Sequence, residues 1–530
     1  MRKLMILMVL AGVMPVTAQV VEVPPATPAA RLLKAAIDDS NLGARRADVR
    51  NFYAPAGYRA VWSRNGQPTP QARALMQLMG AAAEKGLEPA DYALPHAADE
   101  AHFDVNLTNA VMHYASDLHG GRVDPRDLGF DLDVTARRAY LPAVVANLVQ
   151  SSDVAATLAG VEPQTDDYRG LAAALASYRR IAAQSQNEMA LPVMEKVKPG
   201  DAYPALAQLA TMLRRTGDLA ATAAVDASVY DGAMVDAIKH FQSCHGLAAD
   251  GVISRKTFAE LNVPASRRVQ QIEWALERSR WTSSVDGASI VVNIPEFRLR
   301  ARDASGATLS MNVVVGKAAW HKTPVLESDL RTVVFRPTWS VPDDIQRKEI
   351  APKLQRDASW LAKHGFEVVD DNGASFGSAV DAAIIDQIRT LHLRVRQKPG
   401  ASNALGLVKF LFPNDDDVYL HSTPEQSLFA RSRRDFSHGC VRVADPVALA
   451  AWVLRQPAEK VRAAIAGSAD DQYNRLDRPV HVMIVYSTAG IGEDGALHFY
   501  PDIYGHDTTL AAALTNVHAA PAGGMLLAAK

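Results

Sequence analysis

The sequence predicts a multidomain α+β chain with a helical N-terminal half and a β-rich, sandwich- or barrel-like C-terminal half, and three observations carry that expectation. Its 530 residues correspond to three or four domains at about 150 residues each. Apolar residues recur with helical period to about residue 225, and again in a compact unit over 226–264. Beyond residue 285 the pattern becomes strand-like, in short β-branched or aromatic runs bounded by Gly, Pro and Asp.

The elements follow in order. Arg2 and Lys3 precede an uncharged apolar stretch over 4–14, and Val16-Thr17-Ala18 supplies small residues, so 1–18 reads as a signal peptide. No later segment is apolar for long enough to span a bilayer, so the expected product is exported without stable membrane insertion. Residues 19–30, with Pro24, Pro25 and Pro28, read as an extended linker. A helical scaffold is expected over 31–225. In it Thr69 caps, Pro70 opens the first turn, Leu75, Leu78, Met79 and Ala82 share a face, and Gly86 ends the run. His113, Asp117 and His119 lack the i, i+4 histidine pair of a helical zinc site and read as solvated or capping residues.

In the 226–264 unit Met234, Ala237, Ile238 and Phe241 form one face, Gly246-Leu247 ends the helix, Asp250-Gly251 turns, and Ser254 caps a helix carrying Phe258 and Leu261. A charged connecting helix with Trp274 and Trp281 fills 265–284. The β-rich domain is expected over 285–490, with strands at 290–294, 311–315, 332–335, 418–420 and 480–486. One helix interrupts them, capped by Asp445, opened by Pro446 and burying Val447, Ala450, Ala451 and Leu454. Residues 343–410 read as an irregular, lid-like insertion, and 491–530 as a tail whose 498–504 segment can pack back before a frayed end over 519–530.

Composition excludes some functions. With 56 Lys and Arg against 58 Asp and Glu, and a net charge of −2, the chain has no electrostatic footprint for nucleic acid. Cysteine is scarce, and only Cys244 and Cys440 occur. Export invites a disulfide between them, but a chain of this length needs no staple, and the bridge would consume the thiol with the more reactive setting. Cys244 reads as a small, half-buried residue.

That setting is Ser437-His438-Gly439-Cys440-Val441-Arg442, with His421 fifteen residues before Ser437. A nucleophilic cysteine needs a base and donors for the oxyanion it creates. His421, held at the end of the 418–420 strand, is the expected general base and acid for Cys440. Gly439 leaves the backbone open, so its amide and that of Cys440 are the expected oxyanion donors. His438 lies too close in sequence to fold back on the thiol and is expected to orient substrate or structure. Ser437 is expected to hydrogen-bond locally, and Arg442 either pairs with Asp445 or holds a substrate carboxylate. A rival reading makes His421, His438 and Cys440 zinc ligands, but no carboxylate-bearing histidine motif accompanies them.

The pattern His421, then Ser437-His438-Gly439-Cys440-Val441-Arg442, resembles the L,D-transpeptidase catalytic domain. So do Asn293-Ile294-Pro295, Val314-Val315-Gly316-Lys317, Thr323-Pro324, Trp339-Ser340-Val341-Pro342, Asn403-Ala404-Leu405-Gly406 and Tyr419-Leu420-His421-Ser422-Thr423-Pro424. The string 236–242 with Gly246-Leu247, Asp250-Gly251 and Thr257 resembles a three-helix peptidoglycan-binding module, although Ser254 stands where that family usually has Gly. The whole is similar to large periplasmic members with a scaffold domain. The resemblance implies acyl transfer by Cys440 from a tetrapeptide stem to a diaminopimelate side-chain amine, giving 3→3 cross-links without cofactor or metal. It also implies peptidoglycan stems and glycan as partners, reaction with carbapenem-type inhibitors, and substrate binding or orientation by Tyr419, Ser437, His438 and Arg442. Transfer to water, as an L,D-carboxypeptidase or a hydrolase detaching wall-anchored proteins, and a wall-binding scaffold with an inactive site stay open at this point.

Overall fold

Nine strands of the C-terminal half form one sheet in the order Asp435–Ser437, Thr308–Gly316, Val441–Val443, Leu420–His421, Val408–Leu411, Leu326–Phe335, Gln472–Val485, Ser289–Asn293 and Arg298–Arg302. The last strand pairs again with Thr308–Gly316, from Arg298 against Asn312 to Arg302 against Thr308. The sheet therefore closes into a barrel, which removes its open edges, and Asp435–Ser437 is a side branch. The structure, a computed structural model, describes residues 22–519 apart from 187, 227 and 283–286. The expected signal peptide and the segment after 519 lie outside the described residues.

Alternation builds the barrel core. Ile290, Val292, Leu299 and Ala301 point inward and are at most 1% exposed. The long strand Gln472–Val485 changes register between Arg475 and Val480, where Pro479 cannot donate a ladder hydrogen bond. Asp445 caps helix Pro446–Leu454 through the Ala448 amide. Its buried residues are Leu449, Ala450 and Val453, a stripe displaced from the expected one because the helix is apolar on every side and period cannot choose a face.

The 343–410 insertion is not irregular. It is a small α+β unit whose antiparallel strands run Ser375–Gly377, Phe366–Val369, Arg394–Gln397, Trp339–Ser340. Leu354 and Ile388, from helices Ala351–Arg356 and Ala382–Arg389, pack against Val341, Phe366, Val368 and Val395. Strand Val408–Leu411 belongs to the barrel, so the insertion begins and ends earlier than expected.

The helical half begins inside the expected linker, where Thr27 caps Pro28–Asp39. Its core holds a fully buried carboxylate, Asp104, which accepts from the Val61 and Trp62 amides and the Tyr53 hydroxyl. His119, expected to be solvated, bridges the carbonyls of Val161 and Arg137.

The small module starts before residue 226. Helix Leu206–Thr216 packs Leu206, Leu209 and Leu213 against Ile238, Phe241 and Phe258 in one core. Helix Ala265–Trp281 is more than a connector, because its Ile272, Ala275 and Leu276 bury against Tyr168, Leu171, Ala489 and Phe499. The 498–504 segment packs back as expected, with Phe499 and Tyr504 buried, and the described chain beyond it is helical. Leu510 and Leu514 of helix His506–Ala519 enter the barrel cluster, and Arg278 pairs with Asp507 at 2.6 Å, both nearly buried. Among the described residues no helix is long and apolar enough to cross a membrane.

Candidate active site

Strand Leu420–His421 runs antiparallel to Val408–Leu411 and parallel to Val441–Val443. The registers set His421 beside both Lys409 and Arg442, and Leu420 beside Phe410 and Val441. Phe410, Leu420 and Val441 fill the barrel. By alternation, Lys409, Tyr419, His421, Cys440 and Arg442 gather on the opposite face.

Three segments fix the turn that carries the thiol. Gly439 has φ +112°, a conformation costly for any residue with a Cβ. Its carbonyl accepts from Thr323 Oγ1 at 2.6 Å, and Thr323 Oγ1 accepts from the Gly316 amide at 2.8 Å. Tyr504, from the supposed tail, donates its hydroxyl to Gly316 O at 2.6 Å and accepts from the Thr323 amide at 3.1 Å. Ser437 Oγ donates to Cys440 O at 2.5 Å and accepts from the Gly439 amide at 3.2 Å. Ser437 thus makes the expected local hydrogen bonds, whereas the Gly439 amide, expected to serve the oxyanion, is already engaged.

His421 is 5% exposed. Its Nδ1–H donates to Ser422 O at 2.5 Å, which leaves the lone pair on Nε2. Burial and the nearby Arg442 charge push its pKa down to about 3, against the pull of the Ser422 and Leu405 carbonyls. The two segments that supply those carbonyls are tightly packed against each other. Asn403 is fully buried and donates to the carbonyls of Pro337, Gln397 and Lys398, and a Cβ on Gly406 would lie 2.4 Å from Ser422 Oγ.

Cys440 is half-buried and free, as is the buried Cys244. Burial pushes the Cys440 thiol up, while the Tyr419 amide and side chain and the Lys409 ammonium favour the thiolate. Its Sγ donates to Asp417 O at 3.8 Å and bonds to neither histidine. Lys409 Nζ sits 3.8 Å from the centre of the Tyr419 ring. Sequence reasoning missed this lysine, although a cation alternating with Val408 and Phe410 beside the histidine strand was the available signal.

The remaining predicted residues are placed differently from one another. His438 points away from the thiol: its Nε2 lies 2.7 Å from Glu349 Oε1, in the π-helical turn Gln346–Ile350 of the insertion, and its ring centre lies 5.0 Å from that of His321. Arg442 pairs with Glu425 and not with Asp445, which is occupied in capping. The rival zinc reading finds no support in this geometry, because the groups of the described residues able to hold a metal lie around Cys244. The face instead offers a neutral imidazole with a free Nε2, a neutral thiol, a phenol and an ammonium, a set suited to nucleophilic attack on a carbonyl.

Residues 287–482 match the L,D-transpeptidase catalytic domain family, 203–261 a family described as "Putative peptidoglycan binding domain", and 47–175 a scaffold domain family. A Haemophilus influenzae protein named "Putative L,D-transpeptidase" is 33% identical over 273 residues, which are 49% of this chain and 54% of that protein. The chain thus spans about half the length of this curated relative. Two solved L,D-transpeptidases are each 14% identical and cover 56% of this chain. The Xylanimonas cellulosilytica structure is covered to 99% with a TM-score of 0.18, and the Stackebrandtia nassauensis structure to 97% with a TM-score of 0.21.

Proposed function

We propose that the protein, whose residues 287–482 match the L,D-transpeptidase catalytic domain family, is an exported, wall-associated acyltransferase that forms 3→3 cross-links in peptidoglycan. The observation that carries this reading is the shared face of Cys440 and His421, with Nε2 left free because Nδ1–H is committed to Ser422 O. Cys440 Sγ attacks the carbonyl carbon of the third residue of a tetrapeptide stem as its proton passes to His421 Nε2. The tetrahedral intermediate collapses by breaking the C–N bond to the terminal D-Ala, whose nitrogen takes the proton from His421. The diaminopimelate side-chain amine of a second stem then attacks the thioester, and the sulfur leaves and recovers a proton. Tyr419 and Lys409 face the charge that develops in both steps. The insertion reaches the active turn through Glu349 and His438 and screens the thioester from water. The 203–261 segment supplies affinity for the wall.

Incubation with a carbapenem, intact-mass measurement and peptide mapping test the nucleophile. A single adduct on Cys440 and none in Cys440→Ala is the expected result. Incubation with purified tetrapeptide stems should yield cross-linked dimers with the wild type alone. Dimers made by Cys440→Ala would overturn the assignment, and release of D-Ala without dimers would show water as the acceptor.

A further inference from the structure

The second cysteine lies far in sequence from the proposed reaction, yet it is the centre of a ligand-rich cluster. On helix Gly232–Cys244, His240 and Cys244 are one turn apart and share a face. Cys244 Sγ is 3.8 Å from His240 Nε2 and 3.9 Å from His498 Nε2. His498 belongs to strand Leu497–Phe499, which pairs with Ala489–Ile491 at the edge of the catalytic half. Its Nε2 is 3.1 Å from both carboxylate oxygens of Asp494. Two overlapping triplets result, Asp218–His240–Cys244 and Cys244–Asp494–His498, each with its ligand atoms within 4.8 Å of one another.

We propose that Cys244, His498, Asp494 and His240 bind a Zn2+ ion that fastens the small helical module to the catalytic domain. The distances fit this chemistry. Tetrahedral zinc with Zn–S of about 2.3 Å and Zn–N of about 2.1 Å separates sulfur from nitrogen by about 3.6 Å, within a few tenths of both observed values. The outer contacts fit as well. His240 Nδ1 lies 2.7 Å from the nearly buried Asp218 carboxylate, the pairing that fixes the tautomer of a metal-ligating histidine and leaves Nε2 for the metal. His240 belongs to the first triplet alone, and its side chain, 47% exposed, has room to shift toward the ion with Asp218 still on Nδ1 and so close the set. Room for the ligands is built into the backbone, since a Cβ on Gly492 would lie 2.4 Å from His498 Nε2 and 2.5 Å from Asp494 Oδ1. The surface being joined is already formed, with Phe241 stacked on His245 at 3.8 Å and His245 5.5 Å from Phe499. Four protein ligands leave no open position, so the site is structural.

The test uses the full chain carrying Cys440→Ala, so that Cys244 is its sole thiol. After chelation and dialysis against micromolar ZnCl2, elemental analysis should find one zinc per chain. Co2+ in place of Zn2+ should give thiolate-to-cobalt charge-transfer absorption. Both signals should disappear in His498→Ala, and in the exposed-ligand variants His240→Gln and Asp494→Asn zinc affinity should fall at least tenfold. Zinc should raise the unfolding temperature of the Cys440→Ala chain and not that of a chain with Cys244→Ser added. Absence of stoichiometric zinc in the Cys440→Ala chain, or zinc retained with unchanged affinity in His240→Gln and Asp494→Asn, would overturn the proposal.

Discussion

Raising the pH from about 7 to about 9 should speed alkylation of Cys440 close to tenfold per unit. The thiol's ordinary value is 9.0 and burial raises it, so at least two units separate it from neutrality, and less than about 1% is thiolate at pH 7. His421 does not offset this by forming an ion pair at rest, because an imidazole held down to about 3 is neutral throughout the range. Both groups are therefore uncharged between about pH 4 and 9, and the proton moves only when a carbonyl is attacked. Iodoacetamide labelling under pseudo-first-order conditions measures the profile. Peptide mapping separates Cys440 from Cys244, which is 3% exposed and whose thiol burial pushes up to about 12. Lys409→Met removes a charge that favours the thiolate. Less thiolate, only partly offset by the greater nucleophilicity of a more basic sulfur, leaves alkylation about threefold slower at pH 8. A wild-type rate that is flat from about pH 6 to 8 would refute the reasoning, because flatness is the signature of a preformed thiolate–imidazolium pair.

Three other outcomes follow from the same coordinates. Gly406→Ala forces a Cβ against Ser422 Oγ at a φ of +60°, so it should cost about 1–3 kcal/mol and slow acylation by misplacing the carbonyl that orients His421; equal melting temperature and rate would contradict this. Asp507→Ala strands the buried Arg278 guanidinium and should lower stability by about 3–5 kcal/mol, read by calorimetry as a lower catalytic-domain transition. Acid should weaken the fold, because His421, His113 and His506 have pKa values pushed by burial from 6.5 to about 3, 4 and 4. The unfolded chain binds the extra protons below 6.5, so stability falls as pH drops from there, on the order of 3 kcal/mol for each histidine by pH 4; urea midpoints that do not fall between about pH 6.5 and 4 would contradict it.

The parts of the fold that sequence made legible are those where one short pattern carries the physics. Thr69 and Asp445 cap helices as expected, each through its side chain, because a cap depends only on the next three residues. The strand at His421 was legible only in part, since 418–420 was expected and the strand is Leu420–His421. Lys409 and the Gly316 partner of Tyr504 were not, since a barrel register and a contact 188 residues long, from Tyr504 to Gly316, leave no local trace. The insertion was misread because strands of two to four residues are too short to show alternation. Of the two roles expected for Arg442, pairing with Asp445 fails because Asp445 is near in sequence while Glu425 is near in space.

Helix Ala265–Trp281 shows why the halves of the chain hold one mutual arrangement. Its Arg278 pairs with Asp507 of the catalytic half, its Arg268 with Glu260 of the small module, and its Arg280 with its own Glu277 while donating to Lys85 O of the helical half. Glu277 in turn accepts from the Arg122 and Val123 amides. Burying these charges costs several kcal/mol each unless every one is paired, and stranding one partner costs about 3–5 kcal/mol. Apolar side chains of the same volume would tolerate a small rotation between the parts, since hydrophobic contact is not directional. The charges do not tolerate it, because their partners belong to three separate cores. An arrangement that keeps each charge on its partner leaves little rotational freedom, so the module proposed to hold the wall and the face proposed to cut and rejoin it are presented in a fixed relation.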